Sequence, residues 1–512
     1  MDAIKSRKLI AKNTVMLYFR QIFLLAVNLY SIRVILTTLG TVDYGIYNVI
    51  AGIVTTFNFL SVAMSSATQR FYSFFLGKDD FDGLQKVFCI TVEIYIFIIL
   101  IVVAASETAG LWFVQNKLLI PLERMDAAKS VFHLVVISFA SNLFSTPFLA
   151  LIISHENMNV YAFISISEGV LKLASVLLLR VISFDSLVMY GFLLAAISVI
   201  IAFAYYSWCR KSYTECRFSL QWDKVQLQEI LSFSGWCLFG TCAGIAKNQI
   251  TNILLNMFFG PVVNAARGIA YNVNSAVSSF SANFNMAVRP QIIKTYSVNE
   301  KNTSFDLVFQ STKLSYFLLW IFMCPLFLEM HYVLKLWLTN VPDMSVTFTR
   351  LILIEVLFDS VSYPLQSLSQ ASGKMKLYQS VVGGVLLLNL PLAYLALKKG
   401  FDAYCVQYIA IVIAFVALLL RIIINSVLTD LQVSLFIRKA LFPSILASFL
   451  SAILPCVFHF SMAESFLRLS AVVASSTVLI GLFGYFLILN RMEKEKVKMF
   501  IVSRIRQAGV SR

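Results

Sequence analysis

The sequence predicts an all-α polytopic membrane protein. About 14 transmembrane helices would form two pseudo-symmetric six-helix lobes plus two C-terminal helices. Three observations lead to this fold. Hydrophobic residues make up 59% of the 512 positions and charged residues only 13%, a balance that soluble globular domains do not sustain over such a length. Apolar stretches of about 20 residues, the length that crosses a bilayer, recur along the chain with short polar segments between them. A motif from the first half also returns in the second.

In order, the expected spans are 11–37, 44–68, 84–105, 128–153, 159–182, 186–207, 232–256, 262–285, 311–330, 346–370, 376–398, 402–424, 438–459 and 467–489. Lys5, Arg7, Lys8 and Lys12 precede the apolar run of the first span. It contains Arg20 and Arg33 and lacks a small-x-small cleavage site, so it is expected to stay as a helix rather than be cleaved as a signal peptide. The organisation that follows is an N-lobe at 1–207, a cytoplasmic linker at 208–231 and a C-lobe at 232–430. An extra helix pair at 431–489 and a basic cytoplasmic tail at 490–512 complete it. The linker carries Arg210, Lys211, Arg217 and Lys224, with a surface helix expected around Trp222–Leu231. The tail alternates Lys494, Lys496 and Lys498 with Val497, Phe500 and Ile501, which suits an amphipathic helix on anionic lipid.

The net charge of +15 does not call for nucleic acid. With both termini cytoplasmic, most Lys and Arg fall on the cytoplasmic side, which is the positive-inside pattern. Eight scattered cysteines without a CxxC pair predict neither disulfides nor a metal site. His133, His155, His331 and His459 have no metal spacing and are expected at membrane interfaces. No phosphate-binding Gly-rich loop is present, so direct ATP use is not expected, and no cofactor is called for. Asp80-Phe81-Asp82 matches a glycosyltransferase-like DxD, but no nucleotide domain surrounds it.

The repeat is offset by about 220–224 residues. Its first copy runs Leu39-Gly40, Gly45-Ile46-Tyr47-Asn48-Val49 and Arg70-Phe71-Tyr72-Ser73. Its second runs Phe259-Gly260, Gly268-Ile269-Ala270-Tyr271-Asn272-Val273 and Lys294-Thr295-Tyr296-Ser297. Asn28 and Asn248 stand at matching distances before the shared glycine. Six spans lie on each side of the linker, and an even number per half keeps both copies in one orientation. Parallel repeats of this kind place a substrate site between the lobes.

Fourteen helices in two six-helix lobes plus a pair resemble the multidrug/oligosaccharidyl-lipid/polysaccharide exporter superfamily. The segment Leu39-Gly40-Thr41-Val42-Asp43-Tyr44-Gly45-Ile46-Tyr47-Asn48 is similar to the first hairpin of its polysaccharide flippase branch. That resemblance implies a secondary transporter rather than an enzyme, in the bacterial inner membrane. It would flip undecaprenyl-pyrophosphate-linked oligosaccharides for O-antigen, capsule or exopolysaccharide synthesis, alongside a polymerase and its chain-length machinery. A multidrug/cation antiporter or a lipid II flippase of the same fold are the alternatives. A membrane-embedded polymerase or ligase is the rival from another class, although no external loop is long enough to hold its catalytic groups.

Charges inside apolar spans are costly, about 2.5–3.5 kcal/mol each on insertion scales, and so mark partners or cavities. Arg20, Asn28, Lys247, Asn248, Asn252, Arg267 and Asn274 are the candidates for binding a pyrophosphate-sugar head. Cations neutralise phosphate, and amides replace water on sugar hydroxyls. Asn248, Asn252 and Asn256 share one helix face and could equally be helix–helix glue. Glu355 and Asp359, four residues apart, and Glu93 are candidates for coupling to H⁺ or Na⁺. Glu355 and Asp359 could instead partner an intramembrane cation. Lys172 and Glu168, also four apart, could pair within one helix. Arg33 and Arg421 are expected to extend toward the membrane surfaces.

Overall fold

A computed structural model of the chain describes residues 3–118, 120–180, 184–219, 223–338, 341–488 and 494. The expected tail helix (apart from Lys494) and the side chain of Arg33 lie outside what it describes. The described residues are mostly helical, with no strand among them.

The helices are α1 (Ala3–Thr55), α2 (Asn58–Gly77), α3 (Phe81–Ala105), α4 (Leu111–Asn116), α5 (Met125–Ser154), α6 (Met158–Leu178) and α7 (Ser186–Ser212). After the linker come α8 (Lys224–Phe259), α9 (Pro261–Ser297), α10 (Lys301–Trp337), α11 (Ser345–Ser372) and α12 (Met375–Leu387). The chain continues through α13 (Asn389–Lys398), α14 (Cys405–Thr429), α15 (Val433–Phe436), α16 (Phe442–Ser461) and α17 (Phe466–Phe483). The surface helix expected around 222–231 is the start of α8, which runs on unbroken.

Among the described residues, twelve helices are long and apolar enough to cross a membrane, and a bent pair makes thirteen. That pair, Val42–Thr55 and Asn58–Gly77, was expected as one straight span and bends by 45°. Its cause is local. The hydroxyls of Thr55 and Thr56 both donate to the Gly52 carbonyl, at 3.1 and 3.0 Å, beside the Thr56 amide at 3.2 Å, and such back-bonding bends helices. The one expected span not among these, 262–285, lies in α9. It forms a 37-residue helix, but Asn264, Arg267, Asn272, Asn274 and a series of serines make it too polar to qualify.

The repeat is visible in the backbone. Gly40 and Gly260 both take positive φ, 74° and 79°. Asp79 and Asn299, again 220 positions apart, both adopt left-handed φ at a helix end, 52° and 59°. The amides that follow close the same turn, Asp80 to the Phe75 carbonyl and Glu300 to the Thr295 carbonyl, both at 3.1 Å. At Gly40 the ψ of 174° puts the residue in a region that is essentially glycine-only. A Cβ there would meet no atom within 4 Å, so the cost of Gly40→Ala is backbone strain alone. It is expected to destabilise by about 1–3 kcal/mol, read as a lower unfolding temperature in detergent.

The chain forms two compact units: Met1–Cys242 with Met286–Lys301, and Ala243–Asn285 with Asn302–Arg512. In the first, α5 is central and packs on α1, α2, α3 and α7. Leu17, Ile153 and Met158 enclose Ala287 of α9, and Gly77 lets the end of α2 lie directly on the backbone of Lys294. A buried polar knot sits beside them. The Glu156 carboxylate accepts from Lys294 at 2.7 Å and from Gln291, and its carbonyl accepts from Asn13 at 3.0 Å. The linker turns back here. Glu215 is held by His155, and its carboxyl titrates below the usual range: burial pushes it up, but the His155 hydrogen bond and further contacts outweigh that.

In the second unit, Leu255, Ala266, Ala270, Phe348 and Leu353 belong to one core. A smaller cluster of Phe317, Cys324, Ala447 and Ile480 fastens α16 and α17 to α10. Glu329, fully buried at an interruption of α10, strengthens this attachment. It accepts from Arg468 at 2.7 and 3.0 Å and pairs with His459 at 2.8 Å. Glu329→Ala would leave the Arg468 charge without its counter-ion. A loss of about 3–5 kcal/mol is expected, measured by thermal unfolding of the purified protein.

Candidate functional site

The first unit holds a cavity of about 350 Å³ among α1, α2, α5, α6 and α7. Arg20 enters it from α1, half a helix away from the basic N-terminus, and is buried to 8% exposure. Its guanidinium lies 4.5 Å over the ring of Tyr161 and donates to the Tyr161 hydroxyl at 2.8 Å. Asn28, two turns further along, lines the same cavity and is exposed. From α6 come Glu168 and Lys172, paired at 2.6 Å as their spacing suggested. Both remain partly open, at 28% and 45% side-chain exposure, so an incoming ligand can reach the pair. Gly169 lets α6 approach Leu24 of α1 closely and sets the narrow side of the wall. Ser61, Asn142, Thr146, Ser165 and Tyr205 supply hydroxyls and an amide.

Two cations face one carboxylate here, so the cavity carries a net positive charge and many neutral donors. Tyr161, Tyr205 and Asn142 were not singled out in the sequence. Nothing in an apolar helix distinguishes a tyrosine that faces a cavity from one that faces lipid.

The second unit gathers most of the other candidates. Lys247 and Glu355 are bonded to each other, each side chain only 10% exposed. The second carboxylate oxygen of Glu355 accepts from Gln407 of α14. Lys247 is therefore not a free ligand in this structure, and Glu355 is not a lone carrier. The pair takes the cation-partner arrangement that the sequence left open for Glu355. Asp359 lies within electrostatic range of Glu355, Arg421 and Lys247.

Arg267 is 3% exposed and donates to the Asn252 side chain and, at 2.9 Å, to the Tyr271 hydroxyl. Tyr271 in turn donates to Asn248 at 2.7 Å. Asn248 and Asn252 thus tie α8 to α9, the helix-glue arrangement. Asn256 is exposed, and the Asn274 side-chain carbonyl is buried on α9 with no hydrogen-bond partner among the described residues. Glu93 sits half-buried on α3 and is not among the residues lining the Arg20 cavity. Arg421, expected to extend toward a membrane surface, is partly buried and donates to Ser362 at 2.7 Å and Tyr378 at 3.1 Å.

Among the described residues no group of His, Cys, Asp and Glu has the geometry to hold a metal ion. Each of the four histidines contacts a glutamate: His133 with Glu107, His155 with Glu215, His331 with Glu464 and His459 with Glu329. Outside the spans, the Glu464 carboxyl lies below its usual range because His331 hydrogen-bonds it.

No family profile matches this chain, and no curated protein does. Solved structures do. A crystal structure of MATE in its bent conformation superposes with a TM-score of 0.72 over 84% of this chain and 99% of its own, at 11% identity. The fold is that of the MATE transporters. An outward-facing multidrug resistance MATE transporter of the MOP superfamily matches at 0.70 over 83% and 96%, at 11% identity. A Pyrococcus furiosus MOP superfamily transporter, described by the reverse polarity of its binding pocket, matches at 0.68 over 83% and 96%, at 12% identity. At these identities the MATE likeness concerns the fold alone and leaves the chemistry of the cavity to this chain's own residues.

Proposed function

We propose that the protein is a secondary transporter working by alternating access, and that its cargo is an amphiphile with an anionic head. The observation that carries the cargo class is the Arg20 cavity: two cations, one carboxylate and a wall of hydroxyls and amides. A pyrophosphate diester would replace Glu168 as the partner of Lys172 and accept the planar N–H donors of Arg20. Neighbouring amides and hydroxyls suit sugar. Within this reading the cargo is an undecaprenyl-pyrophosphate oligosaccharide, the site would face the cytoplasm and then the outside of an inner membrane, and Asp359 is the acid left to couple an ion.

A second reading has specific support. The structures with this fold include a multidrug resistance transporter, and Glu168 with Tyr161 and Tyr205 offers an organic cation a carboxylate and aromatic faces. It makes the protein a multidrug/cation antiporter.

Reconstitution into liposomes separates the two. Movement of a fluorescent isoprenyl-pyrophosphate sugar across the bilayer, unaffected by lipophilic cations, supports the anionic cargo. Cation efflux driven by a proton or Na⁺ gradient, with no flipping of the lipid probe, overturns it in favour of antiport.

A further inference from the structure

A second, chemically different recess lies on the other side of the helices that wall the Arg20 cavity. On α5, Asn142, Ser145 and Thr146 face that cavity, whereas Ser141, Phe144 and Phe148 line an apolar groove. On α7, Ile201 and Tyr205 face the cavity, and Val199, Phe203 and Tyr206 the groove. The groove has a wide, open part of about 420 Å³ between α3, α5 and α7, lined by Ile96, Leu100 and Phe144 among others. A second part of about 200 Å³ shares Ile96 and Phe144 and continues to the linker end of α7.

That end is not a bare helix surface. Residues 213–219 fold back over α3, where Gln85 donates to the Arg217 carbonyl at 3.2 Å, and Cys216 and Phe218 form one wall of the groove. Arg210 lines the same end. Its guanidinium reaches the Tyr206 hydroxyl, which uses one of its five N–H donors. Lys211 and Arg217 stand nearby in the chain, while Glu215, the acid of this stretch, is engaged by His155. An apolar channel that ends at an exposed arginine with further cations beside it is complementary to a hydrocarbon chain bearing a phosphate.

We propose that this groove binds one anionic phospholipid, with an acyl chain along α3, α5 and α7 and its phosphate on Arg210. The charge of its mouth selects an anionic lipid over a neutral one. Its position behind Asn142 and Tyr205 gives the lipid a direct mechanical contact with the helices that shape the cavity. The site is independent of which cargo the cavity carries.

The test is native mass spectrometry of the purified, delipidated full-length protein with added phosphatidylglycerol or phosphatidylethanolamine. The wild type is expected to retain one phosphatidylglycerol under conditions that strip phosphatidylethanolamine. Arg210→Ala should weaken that retention roughly fivefold, the effect of one basic residue at a lipid surface. Val199→Trp, which fills the groove from an exposed position, should weaken it with the mouth intact. Thermal unfolding of both variants without lipid should match the wild type. Equal retention of the two lipids, or retention unchanged in both variants, would overturn the site. Displacement of phosphatidylglycerol by an isoprenyl pyrophosphate would overturn the assignment by giving the groove to an isoprenoid.

Discussion

Lys247→Ala is expected to lower stability by about 3–5 kcal/mol, because it leaves the Glu355 carboxylate buried with no cation beside it. Glu355→Ala should be similarly harmful for the opposite reason. The double substitution Lys247→Met, Glu355→Leu removes both charges together and should recover most of the loss, since a buried pair replaced by apolar residues is often neutral. Unfolding of the purified variants in detergent measures this. Transport by the double variant then separates structure from function. Activity that returns with stability makes the pair a clamp between α8 and α11. Activity that stays absent in a stable double variant makes it part of the transport site.

Arg20→Ala is the substitution with the largest expected effect on transport. Arg20 is a buried cation on the cavity wall that stacks on Tyr161 and donates to its hydroxyl, so its removal takes a positive charge and planar N–H donors out of the lining. Losing hydrogen bonds to a charged group costs about 1.5–3 kcal/mol, so transport of an anionic amphiphile should fall by about tenfold or more. Arg20→Lys keeps the charge but loses the planar fork and the stacking on Tyr161, and should recover part of the rate. Tyr161→Phe removes only the hydroxyl and should have a smaller effect. Initial rates in liposomes at matched protein content check all three. If Arg20→Ala transports anionic cargo at the wild-type rate, the cavity does not bind an anion through this residue. If instead it accelerates movement of organic cations, the antiport reading is favoured.

The elements most legible in the sequence are those set by local physics. Span lengths follow from bilayer thickness, and Gly40 and Gly260 mark positions where the backbone needs positive φ. The Glu168–Lys172 contact was also readable, because four residues on a helix bring two side chains together. Contacts made across the fold were not readable. Lys247 and Glu355 are 108 positions apart, and no local pattern says which buried carboxylate meets which buried cation. Arg421 had the spacing of a residue reaching for the interface, yet Ser362 and Tyr378 on other helices satisfy it first. The bend after Thr55 was hidden for a different reason: two threonines in an apolar helix signal a break only once their hydroxyls are seen to take the same carbonyl. The Arg20 cavity was half-legible, since its charged residues stand out in apolar sequence while Asn142, Ser165 and Tyr205 do not.

The division of α8 and α9 between the two compact units has a consequence for how the protein comes into being. The first unit is completed by 224–242 and by Met286–Lys301, segments that are synthesised only after the linker. A nascent chain that has emerged as far as residue 207 therefore lacks Ala287, which packs with Leu17 and Met158, and Gln291 and Lys294, which bond the Glu156 carboxylate. The amino-terminal half is inserted before it can finish packing, and its polar knot around Glu156 closes only when translation has passed Lys294. Order of synthesis and order of consolidation differ in this molecule. The first unit thus draws on chain from both halves, whereas the second is built from residues after 242 alone.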